Sequence, residues 1–459
     1  MRAATVVIAG LLSGCGCTHA PAADGSIADG GEADVRDARL DAREAGRDTG
    51  RDMTVNDLGR PDGGEPGGWV RVPGFSDSCA IERATDPEAG FGGPLSFVPC
   101  RSESRGSGCR ELDFTWPDEG RPRFLAGLGF EAGYAPGRFQ MWRRDGGTRI
   151  ITAIADSSGR LIAAWRSPFS ASSACVVMTI AMDRARYLLA ASELPADRDV
   201  VVSVVVGGDL SQPPDTASPL LRMSNRELGS DGIVEAEVGE AFVAIGTSPR
   251  PLVLRVGWDG GVSTIGSAAV DGSGAFLGAI VGDALLYSSL GSRPAIRVSV
   301  DGAASQPLLT DVGGGVATTF ATDGIDLAFM VAFGARDADL NYERMELWAS
   351  PFSTNPDELR PRRLTGLALR RPGAQIAVAA GRVALLDDLD NLVIIRLSDG
   401  LRTDVPPRAG RVYSALSMLD ENEVAVASRI PPVAPLEDHV FELLDLATLE
   451  AGREADSGP

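Results

Sequence analysis

The chain has 459 residues, a net charge of −20 and a sequence pI near 4.6. Its 43 basic residues are all arginine, and it has two histidines. An acidic surface repels phosphate backbones, so the composition excludes a nucleic-acid partner. The absence of lysine excludes a phosphate-binding loop lysine and a Schiff base, and no nucleotide partner is expected. The 55 glycines and 29 prolines favour many short strands joined by turns.

Residues 1–14 have the composition of an export signal. Arg2 supplies a positive charge, and the apolar run that follows is far shorter than the roughly 20 residues that span a bilayer. The segment ends in Leu-Ser-Gly-Cys15, which resembles the lipobox of bacterial lipoproteins. This resemblance implies that Cys15 is lipidated and holds an extracytoplasmic chain at a membrane, and Gly16 after it implies the outer membrane. An ordinary secretory signal with an unrelated cysteine is the alternative.

Residues 15–68 are predicted to be the lipid anchor followed by a disordered acidic linker. Between residues 18 and 68 there is no aromatic residue, and 12 acidic side chains stand against 6 arginines. Such a segment cannot bury enough apolar surface to offset its chain entropy. A flexible tether of this length has a root-mean-square reach of about 40 Å. We therefore expect a domain held away from the lipid surface, with order beginning at Trp69.

The segment 69–123 is the cysteine-bearing N-terminal part of the β domain. It contains Cys79, Cys100 and Cys109, and Cys175 follows further along the chain. Disulfides persist outside the cytoplasm, and four cysteines allow three pairings. The short loop between them favours a Cys100–Cys109 bridge, which leaves Cys79 to pair with Cys175. A zinc site is the alternative, although no closely spaced cysteine pair or neighbouring histidine supports it.

Residues 124–450 have the pattern of short strands joined by tight turns. The third strand of each repeat begins near residues 252, 295, 345, 392 and 440, at spacings of 43, 50, 47 and 48 residues. Asp-Gly pairs at 259–260, 301–302 and 399–400 favour hairpin turns, since glycine accepts the positive φ that these turns need. A period in the forties predicts propeller blades, and its extension towards the N-terminus gives about seven.

Glu346-Leu-Trp348, followed by Arg362-Arg-Leu-Thr365, resembles a blade of the broad β-propeller superfamily, which includes WD-type and TolB-like repeats. The resemblance implies an all-β propeller. A recurring Gly-His or Trp-Asp signature is absent, which leaves the subfamily open. A pair of β-sandwiches is the alternative fold. Residues 184–194 are compatible with a helix, and residues 451–459 form a polar tail.

One loop is a candidate calcium site. Four oxygen-bearing side chains alternate along it, and Ca²⁺ takes about six to eight oxygen ligands from flexible loops. These side chains are Asp337, Asp339, Asn341 and Glu343. A solvated hairpin tip explains the same residues. The acidic tip at Asp387 has the composition of an ordinary turn.

Arg360, Arg362 and Arg363, with arginines at 370 and 371, form a basic patch on an acidic protein. Arginine binds anionic groups in a bidentate manner, so the patch is a candidate site for an anionic glycan or lipid headgroup. A solvated strand face is the alternative interpretation. His439 lacks a nearby nucleophile motif. Tryptophans in strand runs could stack a glycan, but more commonly fill the core; they are Trp142, Trp165, Trp258 and Trp348.

The sequence carries no recognised catalytic motif. It has no nucleophile elbow, no zinc-protease helix motif and no redox cysteine pair. It therefore predicts a non-catalytic binding or scaffold protein whose loops engage an envelope protein or glycan. One alternative is a carboxylate-based hydrolase or lyase that uses Ca²⁺. Another is an envelope-complex assembly factor, which needs an exposed apolar patch. No cofactor other than calcium is expected.

Overall fold

A computed structural model gives the fold. It describes residues 67–450, except for 102–107, 114–122, 125–137, 146–148, 169–174, 184, 194–199, 229–231, 249–251, 268–274, 290–294, 336–341, 368–374, 388–390, 421 and 431–439. The predicted signal, Cys15, the acidic linker and the polar tail lie outside these residues. Within the described part of the chain, no helix has the length and apolarity needed to cross a membrane.

The N-terminal elements are short: β1 (Trp69–Arg71), β2 (Glu82–Ala84), α1 (Pro87–Phe91), β3 (Phe97–Pro99), β4 (Cys109–Leu112) and β5 (Arg123–Phe124). Longer strands follow: β6 (Arg138–Asp145), β7 (Arg149–Asp156), β8 (Leu161–Pro168), β9 (Cys175–Met182), β10 (Arg186–Glu193), β11 (Val202–Asp209), β12 (Ser218–Ser224), and then the short helix α2 (Asn225–Leu228). Within the described ranges, 3-10 turns lie at Asp77–Cys79, Pro214–Thr216 and Pro356–Glu358.

The remaining elements are all strands. The first group is β13 (Gly232–Val238), β14 (Phe242–Ser248), β15 (Leu252–Gly257), β16 (Val262–Ser267), β17 (Ala275–Val281), β18 (Ala284–Ser289), β19 (Ala295–Val300) and β20 (Gln306–Leu309). The second group is β21 (Asp311–Val312), β22 (Gly315–Thr322), β23 (Asp326–Phe333), β24 (Arg344–Pro351), β25 (Arg362–Leu367), β26 (Ile376–Ala379), β27 (Arg382–Leu386), β28 (Leu392–Arg396), β29 (Arg402–Val405), β30 (Val412–Met418), β31 (Glu423–Arg429) and β32 (Val440–Asp445).

These strands form seven antiparallel sheets of four to six strands. Successive sheets pack face to face: β13 contacts β9 and β10, β17 contacts β13 and β14, and β22 contacts β17, β18 and β19. Strands buried on both faces lose the alternating pattern, and β23 is a nearly continuous apolar run with a buried interior. The arrangement is a seven-bladed β-propeller, as the repeat predicted. The alternative of two sandwiches is wrong.

The predicted hairpins are present. Gly260, Gly302 and Gly400 each have positive φ, and Asp301 joins Gly302 in this region with a φ of 53°. Two positive φ angles in succession are the mark of a type I′ turn, whose twist matches the strands that it joins. Strands β15, β19, β24, β28 and β32 begin within one residue of the predicted starts.

The segment predicted to be compatible with a helix, residues 184–194, contains the strand β10 instead. Leu188, Leu189 and Ala190 are good helix formers, but all three are buried between neighbouring strands and blades. Tertiary packing therefore overrides local propensity here, because a helix has one apolar stripe and could not fill this position.

The N-terminal segment closes the ring of blades. Strand β4 pairs antiparallel with β32, which places Cys109 opposite Leu444 and Glu111 opposite Glu442. Strand β2 pairs with β8 and extends the first sheet. The first and last sheets also share a core, in which the rings of Phe139 and Phe441 lie 4.7 Å apart. One short segment therefore belongs to both the first and the last blade.

A buried ionic cluster reinforces this closure. Arg408, in the connection between β29 and β30, donates from Nε to Glu442 Oε1 at 2.8 Å and from Nη2 to Glu111 Oε2 at 2.5 Å. Glu442 is 0% exposed and Glu111 is 5% exposed. Burial lowers the pKa of Arg408, but the hydrogen bonds and charges of the two glutamates outweigh it and hold the pKa above its ordinary value. Arg408 thus stays charged and links β4 to β32.

The Cys100–Cys109 disulfide is confirmed. It joins the ends of β3 and β4, the hairpin that completes the last blade. Cys79 is disulfide-bonded as well. The side chain of Cys175 lies outside the described residues, so the Cys79–Cys175 pairing stays a prediction. The backbone of Cys175 is opposite Glu193, whose Oε1 accepts from the amide of Ser76 at 2.7 Å, and this brings the two segments close together.

Replacing Cys100 and Cys109 together with alanine is expected to lower the free energy of unfolding by about 2–3 kcal/mol, because the bridge restricts a short loop of the unfolded chain. Urea denaturation of the purified protein, followed by circular dichroism, measures this loss. Reducing the unaltered protein should lower its stability at least as far, since the bond of Cys79 breaks too. An unchanged midpoint in the double variant would contradict the prediction.

Candidate ligand-binding cleft

The second and third blades form an open cleft of about 380 Å³ where they meet. Its walls come from the start of β10, the end of β11, the connection between β11 and β12, the start of β12 and the turn after β15. All of these positions lie at the same end of the two blades. At this end the first strand of a blade is joined to the second, and the third strand is joined to the fourth. The polar side chains of the lining are Arg186, Asp209, Gln212, Thr216 and Ser218.

Trp258 and Arg186 form the floor of the cleft as a stacked pair. The guanidinium carbon of Arg186 lies 4.7 Å from the centroid of the indole ring. Its Nη1 donates to the carbonyl of Glu240 at 2.6 Å, and Trp258 Nε1 donates to the carbonyl of Gly239 at 3.2 Å. Both side chains are therefore fixed by the first turn of the third blade before any ligand arrives.

Asp209 supplies the one carboxylate among the lining side chains that the structure describes. Its Oδ1 accepts from both the amide and the hydroxyl of Ser211, each at 2.7 Å. These hydrogen bonds lower the pKa of Asp209 below its ordinary value of 3.8, with a smaller contribution from the charge of Arg186. The group is therefore an anionic hydrogen-bond acceptor at neutral pH and is poorly suited to proton transfer, which favours a pKa near the working pH.

Arg83 holds the wall that carries Asp209. Its buried guanidinium donates to the carbonyls of Asp209 at 3.2 Å, Leu210 at 2.5 Å and Gln212 at 3.1 Å. It also lies over the ring of Tyr187, 5.2 Å from the centroid. Because Arg83 lies in β2, the N-terminal segment that closes the ring also shapes the cleft.

Replacing Arg83 with methionine is expected to cost about 2–4 kcal/mol of stability, because three partly buried carbonyls lose charge-assisted hydrogen bonds to a buried guanidinium. The loss should be accompanied by faster hydrogen exchange of the amides in residues 209–212, measured by mass spectrometry. Arg71→Met is a suitable control, since Arg71 pairs with the exposed Asp77 at the protein surface. Equal exchange rates in the two variants would contradict a role of Arg83 in holding this wall.

Gly207 and Gly208 let the cleft walls approach each other. A Cβ atom on Gly207 would lie 2.6 Å from the indole ring of Trp258, and one on Gly208 would lie 2.5 Å from the ring of Tyr187. Both distances are far shorter than any carbon–carbon contact, so a side chain at either position would displace an aromatic ring.

The candidate calcium loop falls mostly outside the described residues: Asp337, Asp339 and Asn341 are not described. Glu343 is described, is exposed, and lies directly before β24. The calcium site therefore stays a prediction. Elsewhere in the described part, the sulfur atoms of Cys100 and Cys109 approach Glu442, but they are joined in a disulfide and offer no thiolate to a metal.

Each of the three described candidate anion-binding arginines bonds to a different neighbour. Arg360 donates to the carbonyls of Asp357 and Leu359, Arg362 donates to the carbonyl of Leu397, and Arg363 forms an ion pair with Glu346 at 3.2 Å. All three arginines are exposed. Each is therefore engaged by its own neighbours, as expected for solvated strand faces, and anion binding there remains untested.

The remaining candidate residues, which are the tryptophans, Asp387 and His439, lie in the core, in a turn or outside the described residues. Trp142 and Trp165 are buried core residues, and Trp348 is partly buried, so the tryptophans form no stacking row. Asp387 accepts from the amide of Asn391 at 2.9 Å, which confirms its turn role. His439 lies outside the described residues.

Sequence reasoning placed Trp258 in a strand run but missed the cleft around it. Arg83, Arg186 and Asp209 lie up to 175 residues from Trp258 along the chain, and no spacing rule connects them. The local signal that was available is Gly207-Gly208-Asp209 at the end of an apolar strand, because paired glycines there indicate a close backbone approach.

No family model matches the chain, and no curated protein matches it. Among solved structures, it is similar to the β-propeller domain of the trilobed protease from Pyrococcus furiosus, with 11% identity and a TM-score of 0.40, over 67% of this chain and 89% of that one. It is also similar to BamB from Moraxella catarrhalis, with 12% identity and a TM-score of 0.37, over 70% and 97% of the two chains.

A third similar structure is puromycin hydrolase, with 13% identity and a TM-score of 0.44, over 72% of this chain and 52% of that one. These similarities carry no argument about function, and the assignment of a propeller rests on the seven sheets described above.

Proposed function

We propose that the chain is a lipid-anchored, extracytoplasmic β-propeller that binds an envelope protein or glycan and does not catalyse a reaction. The observation that carries this proposal is the cleft between the second and third blades. Its two charged side chains, Arg186 and Asp209, are held by hydrogen bonds to Glu240 and Ser211, and such preorganisation favours binding because little freedom is lost when a ligand arrives.

The charges in the cleft favour binding over hydrolysis. Carboxylate-based hydrolysis of glycosides uses two carboxyl groups, one of them with a raised pKa. The described lining of the cleft offers Asp209, whose pKa is lowered, and the cation Arg186. This combination supplies hydrogen bonds to a ligand but no acid–base pair.

The anchor is supported by the sequence around Cys15, and its test is direct. Cys15→Ala is expected to abolish incorporation of labelled fatty acid and to release the protein from the membrane fraction. Cys17→Ala is the matched control and should keep both properties. A Cys15→Ala protein that still carries lipid would overturn the assignment of the anchor.

The binding function is tested by affinity capture from a solubilised cell envelope with the full chain immobilised in detergent. We expect a protein or glycan to be retained, and to be lost with a chain carrying Asp209→Asn and Gln212→Ala. Turnover of an envelope polysaccharide by the purified protein, measured as released reducing ends, would instead support the carboxylate-based enzyme.

A further inference from the structure

We propose that the cleft beside Trp258 takes an uncharged carbohydrate, held through its hydroxyl groups. This inference rests on the proposed binding function and names the class of ligand. It follows from which polar groups converge, how they are held and what charge they carry together.

The cleft offers both donors and acceptors within one site. Arg186 can only donate, the ionised Asp209 can only accept, and Gln212 and Ser218 can do both. A sugar hydroxyl is donor and acceptor at once, so neighbouring hydroxyls can satisfy the Asp209 carboxylate and the Arg186 guanidinium, which lie opposite each other on the paired strands β10 and β11. A purely anionic ligand would be repelled by the carboxylate of Asp209, and a purely cationic ligand would be repelled by the guanidinium of Arg186.

The two charged side chains of the cleft lining, Arg186 and Asp209, together carry no net charge. The charge of Arg186 contributes to the lowered pKa of Asp209, but each side chain already has a local partner: the carbonyl of Glu240 for Arg186, and Ser211 for Asp209. The remaining hydrogen-bonding capacity points into an open cleft. An uncharged ligand that is rich in hydroxyl groups meets this capacity without adding an unpaired charge.

The apolar part of the cleft is small. Arg186 covers one face of the Trp258 ring, and Gly207 approaches the ring at its periphery. The indole therefore offers limited stacking, and Leu220 adds the other apolar contact. Recognition depends mainly on hydrogen bonds, and the volume of about 380 Å³ lies within the range of ligand pockets.

The site is stiff where a sugar would bind. Arg83 ties the carbonyls of Asp209 and Gln212, and the amide of Leu210 donates to the carbonyl of Ala185 at 2.7 Å. The turn before β10 and the connection between β11 and β12 are thus joined to each other by a backbone hydrogen bond and to β2 by the side chain of Arg83. The side chains of Gln212 and Ser218 are exposed and line this part of the cleft.

The test is calorimetric titration of the full chain in detergent with maltose, cellobiose and N,N′-diacetylchitobiose as probes. We expect at least one disaccharide to bind, and Gln212→Ala, Ser218→Ala and Asp209→Asn to weaken its binding at least tenfold each. Binding should be unchanged between pH 8 and pH 5, because the lowered pKa keeps Asp209 ionised throughout this range.

Gln306→Ala is the matched control. Gln306 is an exposed glutamine at the start of β20, which is the fourth strand of its blade as β12 is of the second blade. It should bind the disaccharide as the unaltered chain does. The glycine–alanine dipeptide, which carries both charges, is the competing probe. Tighter binding of the dipeptide than of any disaccharide would overturn the carbohydrate assignment. It would also be overturned if a folded protein bound no disaccharide at about 20 mM, since a dissociation constant above this concentration is too weak for useful recognition. Capture of an envelope protein in the separate affinity experiment would leave the binding function standing in either case.

Discussion

Replacing Arg408 with methionine is expected to destabilise the protein by about 3–5 kcal/mol, the largest effect of a single side chain that the structure indicates. The substitution keeps much of the side-chain volume but leaves Glu111 and Glu442 buried beside each other without their shared cation. The midpoint of urea denaturation, at constant pH, measures the change.

The double substitution Arg408→Met with Glu442→Gln should recover part of this loss, because one of the two buried charges is then removed. Arg71→Met is the control for a surface ion pair and should change stability by no more than about 1 kcal/mol. A loss of similar size in Arg408→Met and Arg71→Met would show that the buried cluster does not support the closure of the ring.

Deleting residues 67–113 is expected to abolish cooperative folding. The deletion removes β2 and β4, so β8 and β32 each lose a pairing partner and expose an unpaired strand edge, which promotes aggregation. Deleting residues 18–66 is the control and should leave the fold intact, since that segment is predicted to be a disordered linker. Size-exclusion chromatography and far-ultraviolet circular dichroism measure the outcome. A monomeric 67–113 deletion with an unchanged denaturation midpoint would show that the ring closes without this segment.

The regular part of the fold was predictable from the sequence because its signals are local. The Asp-Gly pairs required positive φ at the glycine, and the spacing between repeats placed the start of β15 and of β28 at the residues where the structure has them. The blade count followed from this period. The N-terminal blades were harder to predict because β10 contains Leu-Leu-Ala-Ala, whose helical propensity conflicts with its buried position between strands.

The cleft and the ring closure could not be predicted because they depend on contacts between distant segments. Arg83 and Asp209 meet only when β2 lies beside the second blade, and Arg408 reaches Glu111 across 297 positions of the chain. The charge, hydropathy and spacing of residues in the sequence do not identify which distant side chains become partners. The Cys100–Cys109 bridge was the exception, because a short loop between two cysteines restricts the choice of partner.

The position of β4 has a consequence for how the protein is made. Its hydrogen-bonding partner β32 lies more than 300 residues later, as the 333 positions between Cys109 and Glu442 show. The first strands to emerge during synthesis must therefore wait for the last ones, and folding dominated by such distant pairs is slow. The last blade cannot be completed until β32 has been synthesised, and until then the edge of β4 is exposed to other chains.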